Sequence, residues 1–196
     1  MSHRDQTHFR WALLFAGNMV DLPSRPRARF PPEMEAPASR EIAAAIDRQL
    51  EHVDDSEVVA ISSLARGGDI LFQEHAARRH LASYIVLPFE PQVFLKKSVL
   101  GVPTGNWEAR FWHIWNRMPC EQREVFTRSS TENPYVACNQ RQLQIAQQKS
   151  DDIILVALFG GTADDVGGTS DLIQRVRGAG GQIDLIDMDR LLARGN

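Results

Sequence analysis

Apolar runs of strand length recur along the chain, at Trp11–Ala16, Val58–Ile61, Tyr84–Leu87, Ile153–Leu158 and Ile183–Ile186, and they constrain the fold more than any other feature. They are β-rich and largely without alternation of apolar and polar positions, as expected for strands covered on both faces. Helical patterns separate them. Ser39 is the expected N-cap of a helix over Arg40–Leu50, in which Ile42, Ile46 and Leu50 form one apolar stripe. Asp69 precedes a helix that runs to about His80, and Asn106 precedes one carrying Trp107, Phe111, Ile114 and Trp115. Two more are expected over Tyr135–Lys149 and Ser170–Arg177. Strands alternating with helices of this length build βαβ units and a parallel sheet. The expected fold is therefore α/β: a single Rossmann-like three-layer domain over residues 1–196, with a mainly parallel sheet of five or six strands and helices on both faces. Residues 124–128 supply a short extra strand. The main irregular stretch is Leu22–Pro37, with five prolines and three arginines.

A net charge of −3 gives no general pull toward DNA, RNA or acidic membranes. The run Trp11–Ala16 is too short for the core of a signal peptide, and no segment reaches the apolar length of a membrane span. The two cysteines, Cys120 and Cys138, form neither a metal pattern nor a disulfide framework. The six histidines are scattered without ligand spacing, and His75 and His80 are expected to face solvent from one helix. The expectation is a cytoplasmic protein with no metal and no cofactor.

In an open parallel sheet, ligands bind beyond the carboxyl ends of the strands, where strand order reverses. The residues to inspect are Gly17 and Asn18 after the first run, and Ser62, Ser63, Arg66, Gly67, Gly68 and Asp69 after the second. Pro88 follows the third, and Gly160, Gly161, Thr162, Gly167, Gly168 and Thr169 follow the fourth. Two of these loops are rich in glycine and hydroxyls and lead into helices. Exposed N–H groups and the helix dipole favour a phosphate or carboxylate there, and glycine permits close backbone approach. Arg66 adds a charge-assisted contact. The same residues also serve as ordinary turn and capping residues, Asp69 among them. The chain has neither G-x-x-x-x-G-K-[ST] nor G-x-G-x-x-G after its first strand, so P-loop and ordinary NAD-binding readings lose support. Trp107, Phe111 and Trp115 have the spacing of a core stripe, and Arg25, Arg27 and Arg29 can form an electropositive lip. Asp151, Asp152, Asp164 and Asp165 are expected to be surface or capping residues.

The stretches "FAGNMVD", "RFPPEMEAPASREIAAAI", "ISSLARGGDILFQEHAARR", "YIVLPFEPQVFLKKSV" and "NWEARF" resemble the SLOG domains. These bacterial Rossmannoid proteins are related to the LOG lysine-decarboxylase-like proteins, to DNA-processing protein A and to the TIR-like superfold. The most specific block is Ala65-Arg66-Gly67-Gly68-Asp69-Ile70-Leu71-Phe72, where relatives carry SGGARGGD. The resemblance implies a nucleotide or nucleotide-derived ligand and a place in signalling or defence. LOG enzymes cleave nucleoside monophosphates with PGGxGTxxE, and this chain departs from that motif. Gly160-Gly161-Thr162 and Gly167-Gly168-Thr169 lack its spacing, and Asp165 stands where one loop would need its glutamate. Arg141 lies near the place of a phosphate-contacting arginine of that family.

Two readings follow. The first is a binding module, a sensor for a nucleotide-like small molecule, paired with itself or with an effector protein and contacting neither nucleic acid nor membrane. The second is an N-glycoside hydrolase or ribosyl transferase, which also needs a positioned carboxylate. Its candidates are Glu74, Asp165 and Asp171, none with the spacing that would assign a catalytic residue.

Overall fold

The computed structural model describes residues 7–126, 133–160 and 168–195. Its strands are β1 (Phe9–Gly17), β2 (Val58–Ser62), β3 (Ala82–Leu87), β4 (Arg123–Val125), β5 (Ser150–Phe159) and β6 (Gln182–Asp187). They pair in parallel in the order β4-β3-β2-β1-β5-β6. The apolar runs mark them because β1, β2 and β5 are buried from both sides, as Ala12, Leu13, Leu14 and Phe15 show. Alternate side chains serve opposite layers: Leu13 and Phe15 join one core, Ala12 and Leu14 the other.

The helices are α1 (Glu35–Gln49), α2 (Gly68–Arg78), α3 (Pro91–Phe94), α4 (Trp107–Arg117), α5 (Pro134–Lys149), α6 (Thr169–Gly178) and α7 (Met188–Gly195). One π-helical turn, Leu95–Val99, continues α3. α1, α2, α4 and α7 bury their apolar residues with Leu13 and Phe15, and α5 and α6 bury theirs with Ala12 and Leu14. The result is a three-layer, Rossmann-like α/β arrangement. Trp107, Phe111 and Trp115 are core residues, and the Phe111 and Trp115 rings stack at 6.4 Å. No helix among the described residues is long and apolar enough to cross a membrane.

Local expectations shift in four places. α1 starts at Glu35, ahead of Ser39, so Ser39 is not its N-cap. Pro37 falls in the first turn, where the N–H groups have no intrahelical partner and proline costs little. Ser39 Oγ meets His75 Nε2 at 2.9 Å and ties α1 to α2. His75 is accordingly half-buried instead of facing solvent, and burial pushes its imidazole below the usual range. Asp69 lies inside the first turn of α2, with Gly67 at the N-cap position. The extra strand is Arg123–Val125, and residues 127 and 128 of the expected one lie outside the described residues.

The strand order decides where a ligand fits. The chain lays β2, β3 and β4 outward on one side of β1, then returns to place β5 and β6 on the other. The order thus reverses between β1 and β5, the point beyond whose carboxyl ends a parallel sheet offers a crevice.

Candidate functional site

At the end of β1, a Cβ on Gly17 would lie 2.7 Å from the Phe15 ring and 3.2 Å from Leu158 Cβ, so only glycine passes here undisturbed. Asn18 then bridges the switch point: its N–H donates to the Leu158 carbonyl at 3.0 Å and its Nδ2 to the Gly160 carbonyl at 3.2 Å. Gly160 passes beside the start of α7, where a Cβ would meet Met188 Cβ at 2.6 Å.

The glycines after β2 are explained by the chain's own backbone. Met19 and Gly67 form an antiparallel bridge; Val20 N donates to the Arg66 carbonyl at 3.2 Å and Gly68 N to the Asn18 carbonyl at 3.3 Å. Gly67 has φ +96°, and a Cβ there would stand 2.8 Å from Val20 N. The close approach that the sequence suggests is real, but the approaching group is the loop after β1.

Arg66 is correspondingly not part of the cleft wall. It is buried, and its Nε donates to the Val20 carbonyl at 2.8 Å and its Nη1 to the Leu100 carbonyl at 3.3 Å. Burial pushes its guanidinium below the usual value, and the nearby charge of Asp21 opposes that. This corrects the expected phosphate contact from Arg66. Ser62 is also committed internally, donating to the Ser63 carbonyl and accepting from Gln73 Nε2 at 2.9 Å.

Asp21 organises the proline-rich stretch. Its Oδ2 accepts the N–H groups of Arg29 at 2.7 Å and Phe30 at 2.8 Å, and its Oδ1 pairs with Arg25 Nε at 3.0 Å. A proline-rich segment has few donors of its own, so one buried carboxylate collects those that remain. The consequence is that Arg25 and Arg29 sit on the wall of the crevice.

The crevice has a volume of about 550 Å³. Gly17, Asn18, Ser63 and Pro88 line it from the ends of β1, β2 and β3, Asp69 from the first turn of α2, while Gly168, Thr169 and Ser170 present the start of α6. α5 contributes Tyr135, Cys138, Asn139 and Gln142, residues that the sequence reading placed only on a helix. Tyr135 packs edge-on against Phe89 and meets Ser98 Oγ through its hydroxyl at 3.3 Å, so the π turn reaches the crevice. Asp69 is 8% exposed, accepts the Ala65 N–H at 3.1 Å, and is pushed up to about 7 by burial. The Cys138 thiol is pushed up to about 12 by burial, which leaves it inert as a nucleophile at neutral pH.

Other expected participants are engaged elsewhere. Arg110 takes Glu74 through Nε and Nη2 at 2.7 and 2.8 Å. Asp171 accepts from Arg175 and Asn139, both at 2.9 Å, and Arg141 pairs with Glu124 at 2.8 Å. Gly161, Thr162, Asp164, Asp165 and Gly167 lie outside the described residues.

No protein-family model matches the chain, and no curated protein matches its sequence. Among solved structures it is similar to DNA processing protein A (DprA) from Streptococcus pneumoniae, at 14% identity and a TM-score of 0.37. The alignment covers 95% of this chain and 61% of that one, so the chain spans about three-fifths of that protein. At that identity and TM-score the likeness says nothing about what this chain binds.

Proposed function

We propose that the crevice binds a nucleotide or a nucleotide-derived small molecule, and that the chain works as a binding module in signalling or defence. The observation that carries this reading is the position of the crevice at the strand-order reversal, with Arg25 and Arg29 on its wall. The start of α6 opens onto the same space, where N–H groups and the helix dipole favour an anion. Tyr135 and Phe159 add aromatic surface for a base. A thermal-shift panel of nucleotides and their nucleosides tests the reading. A ligand at a hundred times its Kd stabilises the fold by about 2.7 kcal/mol, and the nucleotide is expected to outperform its nucleoside. Replacing Arg25 and Arg29 together with alanine should remove that advantage. No shift with any nucleotide overturns the proposal.

A second reading, N-glycoside cleavage, has one observation in its favour: Asp69, held near neutrality by burial, has the pKa of a general acid. Glu74 and Asp171, its other described candidates, are committed to Arg110 and Arg175. The binding reading expects a nucleotide to survive prolonged incubation intact. Free base and ribose phosphate, released by the wild type and not by Asp69→Asn, would establish the enzyme instead.

A further inference from the structure

We infer that Gln142, Asp69 and Ser63 form a subsite on the crevice wall that recognises the nitrogen-rich edge of an amino-substituted base, leaving the arginine side for the anionic end. This rests on the nucleotide reading and goes beyond it by assigning the ligand's orientation and the chemistry of its base.

The first support is an acceptor without a donor. Gln142 is 3% exposed, and its Oε1 has no hydrogen-bond partner among the described residues. The orientation of its amide follows from Cys138, one turn earlier on α5. The Cys138 thiol donates to the Val86 carbonyl, which leaves the sulfur to accept from Gln142 Nε2 at 3.5 Å. One N–H of the amide is thereby engaged, which fixes the side on which the unpaired carbonyl oxygen lies. A buried acceptor left unpaired destabilises the fold, a cost seldom retained without a use. The Ser63 hydroxyl, also buried and unpartnered among the described residues, lines the same crevice from the loop after β2.

The second support is a further acceptor. Asp69 lines the same crevice from α2 and spends one carboxyl oxygen on the Ala65 N–H, which leaves acceptor capacity on the other. Its free oxygen offers an acceptor to N–H donors, and once ionised the group also repels phosphate. Two acceptors, with a hydroxyl that both donates and accepts, complement an edge carrying an exocyclic amine beside a ring nitrogen. Such an edge occurs on aminopurines and aminopyrimidines.

Calorimetric titration with three matched pairs tests the assignment. The pairs are adenosine and purine riboside 5′-monophosphates, guanosine and inosine 5′-monophosphates, and cytidine and 2-pyrimidinone riboside 5′-monophosphates. In the wild type, at least one amino-bearing member is expected to bind about tenfold tighter than its partner, the size of one hydrogen bond. Gln142→Leu should erase that preference without lowering Tm, because it removes an unpaired acceptor; a merely structural Gln142 would lower Tm and keep the preference. In Asp69→Asn, the oxygen stays with Ala65 and the amide NH2 replaces an acceptor, so the preference should also fall. Arg25→Ala should weaken both members of a pair by the same factor. Equal affinities within all three pairs, or a preference that persists in both Gln142→Leu and Asp69→Asn, overturns the subsite and leaves nucleotide binding standing. Failure of all six compounds to bind overturns the proposed function and this inference together.

Discussion

The Arg66 guanidinium and the Val20 carbonyl meet at 2.8 Å inside the fold, joining the loop after β2 to the loop after β1. A buried cation on a backbone carbonyl is a structural clasp, reinforced by the Arg66 N–H donating to Ser98 O at 3.0 Å. Arg66→Ala leaves the buried Val20 carbonyl unsatisfied, at about 1–3 kcal/mol, and loses the bond to the carbonyl of the more exposed Leu100, at about 0.5–1.5 kcal/mol. The expected loss is roughly 2–4 kcal/mol in urea denaturation, with nucleoside and nucleotide affinities falling by equal factors. A selective loss for the nucleotide would return Arg66 to the ligand.

Gly67 should tolerate no side chain. Its φ of +96° is strained for alanine, and the new Cβ would press on Val20 N at 2.8 Å. Gly67→Ala is expected to cost more than about 2 kcal/mol. Gly178→Ala is the control: nothing lies within 4 Å of its Cβ position, and alanine at this helix end should be neutral or stabilise by up to about 1 kcal/mol. Denaturant midpoints of the two variants check the contrast.

Asp21→Asn should loosen the arginine-bearing stretch. One oxygen survives to accept from both Arg29 and Phe30, but the charge that holds Arg25 and stabilises the buried cation of Arg66 is lost. Trypsin is expected to cut faster after Arg27 and Arg29. The ratio of nucleotide to nucleoside affinity should fall several-fold. An unchanged digestion pattern would mean that the stretch holds its shape without Asp21.

Asp69 should make stability fall as pH rises. Its folded pKa, about 7, lies above the ordinary 3.8, so the folded state holds the proton more tightly than the unfolded chain. The contribution is fully present below about pH 4, declines through the window between the two values, and is gone above about pH 7. At about 1.4 kcal/mol for each pH unit, this amounts to several kcal/mol. Asp69→Asn cannot ionise, so wild type and variant should diverge steadily from pH 4 to pH 7, the variant gaining. Parallel stability profiles across that range would place the carboxyl in contact with water.

The strands and the glycines at their ends show how far the sequence reaches. The doubly buried strands were legible because a strand covered on both faces must be apolar throughout, and no other element of that length needs to be. The core stripe of Trp107, Phe111 and Trp115 was legible for the analogous helical reason. The start of α1 was not, because Pro37 reads as a breaker unless the first turn is known to surround it. The glycine pattern was ambiguous in principle: a missing Cβ admits a phosphate or another backbone equally well, and Met19 facing Gly67 is what selects the backbone.

The sequence by itself determined the alternation of strands and helices, the layers they form, and the absence of a P-loop or dinucleotide fingerprint, since these depend on local pattern. Tertiary structure alone decided that β5 lies beside β1. Strand order depends on contacts between residues more than a hundred positions apart, such as Asn18 with Gly160, and no local spacing records them. The same long-range placement turned Arg66 inward, put Arg25 and Arg29 on the crevice wall through Asp21, and brought Gln142 and Asp69 to one cavity.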